Sequence, residues 1–128
     1  MKRIKKLFTL SAMLMLMGFN DCNQQSKEVI EQKLLGSWIS NNDSKMEIQF
    51  NGNVRKDFYD GDLLFTYKYS ISKTCDSETI SGNQYFLKSI DDSDNSQSCL
   101  IIEAVDLNNS GILSFTSDRG QLLTFNKK

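Results

Sequence analysis

Hydrophobic and polar residues alternate along most of the chain, which is the pattern of strands that bury one face. The clearest example is the segment 45–51 (KMEIQFN), where Met46, Ile48 and Phe50 fall on one side and polar residues on the other. A period of two predicts a strand with one face on a core and the other in water.

Tight-turn signals join this strand to two more. The dipeptide Asn51-Gly52 leads into a predicted strand at 54–59, and Asp60-Gly61 leads into a long strand at 63–72. Both dipeptides favour two-residue hairpin loops, so the three strands form an antiparallel meander. Alternation in the long strand predicts one inward face, which consists of Leu63, Phe65, Tyr67, Tyr69 and Ile71.

The second half of the chain continues in the same style with less regular alternation. Short strands are predicted at 78–81, 84–90 and 99–106, and a final pair at 112–117 and 121–127. In that pair Leu113 and Phe115 can face Leu123 and Phe125. About eight strands with short links are typical of a barrel or sandwich, and the meander connections favour an all-β, antiparallel, up-and-down barrel.

A short helix is predicted at 27–36, before the first strand. Ile30 and Leu34 share one face, Ser26 can cap the start, and Gly36 can end the helix.

The first 21 residues resemble a secretory signal peptide. A basic start is followed by the apolar run 7–19, which is shorter than the roughly 20 residues that a membrane-spanning helix needs. Cys22 stands where bacterial lipoproteins keep the cysteine that accepts lipid, although Phe19-Asn20-Asp21 departs from their usual small residues. We therefore expect a lipid anchor on Cys22. Plain secretion and a retained segment are the alternatives.

Composition excludes several classes of function. The sequence contains no histidine, the usual general base and metal ligand. Cleavage before Cys22 would leave 11 of the 15 basic and 15 of the 16 acidic residues, which does not suit nucleic-acid binding. The segment 91–103 has carboxylates at EF-hand spacing, but Gln97 stands where the calcium loop needs glycine. We therefore predict no catalytic residues, no metal and no cofactor.

Cys75 and Cys99 remain once Cys22 is assigned to lipid. An even pair in an oxidising compartment predicts a structural disulfide. Their wide separation differs from the Cys-x-x-Cys spacing of redox sites.

The segment 34–40 (LLGSWIS) resembles the start of a lipocalin, where a short helix leads into the first strand through Gly36-Ser37-Trp38. The chain is similar to small lipocalin-like lipoproteins of envelope-dwelling bacteria. This resemblance implies a tether and helix at 22–33 and an eight-stranded barrel at 34–128, closed at the Trp38 end. The arginine that such proteins pack against this tryptophan has no counterpart by position, and Arg119 does not match it.

The resemblance implies an outer-membrane, lipid-anchored protein that binds a small apolar or amphipathic ligand. Trp38, Phe65, Tyr67 and Tyr69 are the candidate ligand-binding residues, and packing of the same side chains in the core is the alternative. The alternative function is a protein-binding module that uses its loops, such as an inhibitor of an envelope hydrolase. A continuous apolar cavity would favour ligand capture, and a filled barrel with an exposed rim would favour protein binding. The sequence predicts no oligomeric state.

Overall fold

The structure, a computed structural model, describes residues 25–128, so the predicted signal peptide and lipid-accepting Cys22 lie outside the described residues. Within that range one α-helix, α1 (Lys27–Leu34), precedes ten strands, and a short 3-10 helix (Leu107–Asn109) lies between the eighth and ninth of them. The strands are β1 (Gly36–Ser40), β2 (Met46–Asn51), β3 (Val54–Tyr59), β4 (Asp62–Ser72), β5 (Thr74–Cys75), β6 (Glu78–Thr79), β7 (Tyr85–Asp91), β8 (Gln97–Val105), β9 (Ile112–Thr116) and β10 (Leu122–Lys127).

Eight of these strands close into an antiparallel barrel, which confirms the predicted fold class. Their order around the barrel is β1-β10-β9-β8-β7-β4-β3-β2. The strands β5 and β6 pair only with each other. The predicted strand at 78–81 is therefore wrong as a barrel strand, because it belongs to the long link between β4 and β7.

The up-and-down topology gives the barrel two distinct ends. The helix end carries α1 and the links 52–53, 73–84 and 106–111. The far end carries the links 41–45, 60–61, 92–96 and 117–121. Since α1 leads directly into β1, the chain enters the fold at the helix end.

Large side chains fill the barrel interior. The fully buried ones include Trp38, Leu87, Leu113 and Phe115. The predicted facing of the last strand pair is confirmed, because Leu113 pairs with Phe125 and Phe115 with Leu123 across β9 and β10.

Trp38 fastens α1 to the barrel. Its indole Nε1 donates a hydrogen bond of 2.8 Å to the carbonyl oxygen of Leu34, in the last turn of the helix. Ile30 and Leu34 are buried in the barrel core, as predicted. The helix ends at Leu34 rather than at Gly36, because Gly36 takes a positive φ of 116° and opens β1.

Two further contacts set the helix in place, and a third lies between the strands next to it. Ser26 caps it by accepting a hydrogen bond from the Val29 amide, as predicted. Lys33 donates to the carbonyl oxygen of Asp106 at 3.0 Å. The Lys127 ammonium lies 5.9 Å from the centroid of the Trp38 ring, where the resemblance implied an arginine.

The segment 73–84 lies on the outer wall of the barrel and is held there by a disulfide. Cys75 and Cys99 form the predicted bridge, with Cα atoms 6.0 Å apart. Closing a loop of this length stabilises the fold by about 3.5 kcal/mol in the chain-entropy account. Phe86 is buried although it alternates with the inward-facing Leu87. The contacts between β5 and β7 show that this segment covers the outer face of β7.

We predict that Trp38→Ala lowers the free energy of unfolding by about 3–5 kcal/mol, because it removes a large buried aromatic side chain. Trp38→Phe keeps most of the packing and loses the hydrogen bond to Leu34, so its cost is smaller, about 1–2 kcal/mol. Urea unfolding followed by circular dichroism measures both. An alanine variant within about 1 kcal/mol of the wild type would show that α1 does not depend on this side chain.

Candidate functional site

The structure divides the four predicted ligand-binding residues between the two ends of the barrel. Trp38 is fully buried next to α1, and Tyr69 packs edge-on against Phe50 with ring centroids 5.1 Å apart. Phe65 and Tyr67 lie toward the far end, with ring centroids 5.9 Å apart. Trp38 and Tyr69 are core residues. At the far end, Phe65 is exposed and Tyr67 is half-buried.

The hydroxyl of Tyr69 already has a structural partner. It donates a hydrogen bond of 2.7 Å to the carbonyl oxygen of Gly52 in the β2–β3 turn. Burial raises the pKa of this phenol above its usual value. Core packing with a satisfied hydroxyl therefore accounts for Tyr69.

A buried ion pair lies inside the barrel beside the aromatic pair. The Arg55 guanidinium donates to both carboxylate oxygens of Asp57, each at 2.8 Å, and to the hydroxyl of Ser89 at 3.1 Å. Arg55 and Asp57 are only 7% and 4% exposed. A bidentate pair of this kind is strongly held, and its donors are directed at protein groups rather than at an empty space.

Tyr67 lies directly opposite Arg55 across β3 and β4 and covers its guanidinium. The Arg55 guanidinium carbon lies 4.7 Å from the centroid of the Tyr67 ring, a cation–π contact. Burial raises the pKa of the Tyr67 phenol, and the Arg55 charge opposes that shift. Tyr67 also pairs with Asp91, a buried carboxylate at the end of β7.

The inward position of Arg55 and Asp57 is a feature that the sequence interpretation missed. The signal was present, because Arg55 lies opposite Phe50 and Asp57 opposite Ile48 in the β2–β3 hairpin. Residues directly opposite each other point to the same face of a sheet. The predicted inward face of β2 therefore implied an inward arginine and aspartate on β3.

Five crevices of the described structure were compared for a ligand site. The most apolar of five lies beside α1, has a volume of about 360 Å³, and is lined in part by Leu35, Tyr69 and Ile71. None of the five is lined by Trp38 or Phe65. The described interior is thus filled by side chains, as the smallest barrels are.

The β3–β4 hairpin extends past its neighbour at the far end. Asp60 and Gly61 form its turn with positive φ values of 51° and 85°, as the Asp-Gly signal predicts. Strand β7 pairs with β4 only from Tyr67 onward, so the first residues of β4 pair with β3 alone.

Apolar side chains are exposed on this hairpin. Leu63, Leu64 and Phe65 are 52%, 51% and 47% exposed. The prediction that Leu63 and Phe65 face the core is wrong, for two physical reasons. A β-bulge follows Asp57, so that Leu64 is inserted and the alternation changes at Leu63. Phe65 keeps the side of Tyr67 but stands beyond the end of β7.

Carboxylates surround the exposed hairpin. The far-end links and the first residue of β4 carry six exposed aspartates, namely Asp43, Asp60, Asp62, Asp92, Asp94 and Asp118. The same segments carry two cations, Lys45 and Arg119. A hydrogen bond with the Asp43 carboxylate raises the pKa of the exposed Tyr59 phenol, which places this acid beside the hairpin. We call the exposed side chains of β4 residues 63–65 together with these aspartates the rim.

The segment 91–103, whose carboxylates have EF-hand spacing, comprises the end of β7, the hairpin link 92–96 and most of β8. Its residues 92–96 are exposed. Within residues 25–128, no cluster of three or more histidine, cysteine, aspartate or glutamate side chains could hold a metal ion. No helix in that range is long and apolar enough to cross a membrane. Comparisons of the chain with models of protein families, with curated proteins and with solved structures found no match.

We predict that Asp57→Leu lowers the free energy of unfolding by about 3–5 kcal/mol, because it leaves the Arg55 charge buried without its partner. The double variant Arg55→Met/Asp57→Leu removes both charges and recovers most of that loss. Urea unfolding of the wild type, the single variants and the double variant measures the coupling. Equal losses in the single and double variants would show that shape, and not charge, governs this part of the interior.

Proposed function

We propose that this chain is a non-catalytic, lipid-anchored binding module of the bacterial cell envelope that presents its rim to a partner protein. The observation that carries the proposal is the exposure of three consecutive large apolar residues, Leu63, Leu64 and Phe65, on a hairpin that extends past its neighbour. Contiguous exposed apolar surface bordered by polar residues marks interaction sites on soluble domains.

The filled interior supports a protein partner over a ligand inside the barrel. Drug-sized ligands occupy concave sites of roughly 300–1,000 Å³ that bury most of their surface. The described interior is instead packed around Trp38 and Phe115, and its polar half is occupied by the Arg55–Asp57 pair. A partner would therefore bind to the outer surface of the barrel, as the alternative interpretation of the sequence expects.

The position of the tether supports the choice of the far end. The Gln25 side chain donates to the carbonyl oxygen of Val105 at 2.7 Å and accepts from the Val105 amide at 3.1 Å, so the chain is fixed at the helix end. Three residues span at most about 10 Å. An acyl group on Cys22 would therefore hold the helix end close to the membrane and leave the rim facing away from it.

The crevice beside α1 supports a second candidate function, the capture of a small apolar molecule. Leu35, which lines it, is 43% exposed, and Ile71 and Tyr69 form its floor. This site would keep the ligand class that the resemblance implies and place the ligand at the helix end of the barrel, between α1 and the β2–β3 turn. Mass spectrometry of the native protein under non-denaturing conditions would detect such a ligand as an added mass.

Site-specific photocrosslinking tests the leading proposal. We expect benzoylphenylalanine at Leu64 to give a discrete crosslinked protein in cells that natively produce the chain. The same probe at Val29 or Ile112, exposed apolar positions at the helix end, is the matched control and should give no such product. The reason is that only the rim is presented to a partner.

Two results would contradict the proposal. Identical products from Leu64, Val29 and Ile112 would indicate non-selective contact with neighbouring molecules. Adducts at Leu64 that contain only lipid would assign the rim to a membrane instead of a protein.

A further inference from the structure

Strand β4 has an open backbone edge within the rim. Tyr67 to Ser72 of β4 pair with β7, and the β7–β8 link leaves the sheet where the Asp92 amide donates to the carbonyl oxygen of Thr66. Asp62 to Phe65 pair with β3 on one side. On the other side, no strand of the described residues continues the sheet next to them. We call this stretch, residues 62–65, the open edge.

Backbone polar groups of the open edge point toward the missing neighbour. In a two-residue hairpin the residues that flank the turn, here Tyr59 and Asp62, exchange backbone hydrogen bonds with each other. The N–H and C=O of the next residue, Leu63, therefore point away from β3. An exposed edge of this kind is a template for another strand, and proteins usually protect it with lysine or proline. Here Asp62 and the bulge at Leu64 protect the edge in part, but its other side chains are leucine and phenylalanine and it carries neither lysine nor proline.

The negative charges around the open edge indicate which kind of strand would bind there. Asp60 and Asp62 lie in the same hairpin, and Asp92 and Asp94 lie in the link that leaves beside Thr66. All four carboxylates are exposed. Opposite charge across an interface speeds association and excludes wrong partners. A segment that alternates basic and apolar residues would match both the aspartates and the exposed leucines.

We propose that the open edge is a strand-docking site, where a basic, extended segment of the partner protein adds to the barrel sheet beside β4. This inference rests on the proposed function and names the chemistry of the partner. The added strand would lie next to residues 62–65, in the position that β7 leaves free. Main-chain hydrogen bonds would provide its affinity, and side-chain contacts would provide its specificity.

Other occupants fit the charge less well. A second copy of this chain would bring one acidic rim against another, and like charges across an interface oppose association. An anionic lipid surface would meet the same aspartates. The experiment below includes both as outcomes that overturn the proposal.

A fluorescent heptapeptide of alternating lysine and valine is the probe for this site. We expect saturable binding to the folded protein by anisotropy at low salt, and slower amide hydrogen exchange at residues 63–66 in the complex. The same peptide N-methylated at alternate residues keeps its side chains but loses two or more donors. It should bind up to about tenfold more weakly, because the Leu63 carbonyl then loses the backbone donor that the docked strand would supply.

Two protein variants complete the test. Leu64→Ser removes an exposed apolar side chain from the open edge without changing its charge, so we expect at least a fivefold loss of affinity. Leu122→Ser changes an exposed leucine at the same end of the barrel but outside the hairpin, and should bind as the wild type does. A glutamate–valine peptide should not bind.

Each contrary result has a distinct meaning. Equal binding of the N-methylated and unmethylated peptides would overturn strand addition, although the rim could still bind a partner through its side chains. If the lysine–valine peptide does not bind at all, the proposal that the partner segment is basic would be overturned. If crosslinks at Leu64 persist in either case, the proposed function survives without this inference. Sedimentation as a dimer that Leu64→Ser disrupts would assign the edge to a second copy of the chain and overturn the proposal. Binding to anionic phosphatidylglycerol vesicles that Leu64→Ser abolishes would assign it to a membrane, with the same consequence.

Discussion

The hydrogen bond from the Trp38 indole to the Leu34 carbonyl oxygen is the contact on which the architecture depends. It joins the last turn of α1 to the first barrel strand. If the helix detached from the barrel, the side chains of Leu34 and Trp38 would both become exposed to solvent. Because Leu34 and Trp38 are fully buried together, the helix acts as a plug at one end. The apolar half of the interior is thereby filled, and a ligand cannot use it without displacing the core.

The other half of the interior is closed by charge instead of by apolar packing. Arg55, Asp57 and Ser89 satisfy one another there, and Tyr67 lies over the guanidinium. A buried ion pair contributes little net stability compared with apolar residues of the same size, but breaking it is costly. Through Ser89 and Tyr67, the Arg55 guanidinium also links β3 to β7 and β4, so it helps to hold the base of the exposed hairpin in place. With both halves of the interior occupied, the proposed function assigns the partner to the outer surface of the barrel.

Local signals in the sequence were sufficient for the barrel and for most of its turns. Alternation placed Ile48 and Phe50 inside, and Asp60-Gly61 marked the hairpin turn. The disulfide followed from counting cysteines. What could not be predicted is non-local. The bulge after Asp57 has no sequence signature, and the open edge exists only because β7 ends at Asp91, opposite Tyr67.

Orientation on the membrane is the most direct test of the central claim, that one end of the barrel is anchored and the other is presented. Nitroxide labels at Val29 and Leu64 would be compared in lipidated protein reconstituted into vesicles, with their depth measured by relaxation enhancement. Strands of this length span about 20 Å, so the account predicts the Val29 label at the lipid surface and the Leu64 label farther out by a comparable distance. Equal depths for the two labels, or a Leu64 label at the bilayer surface, would contradict it.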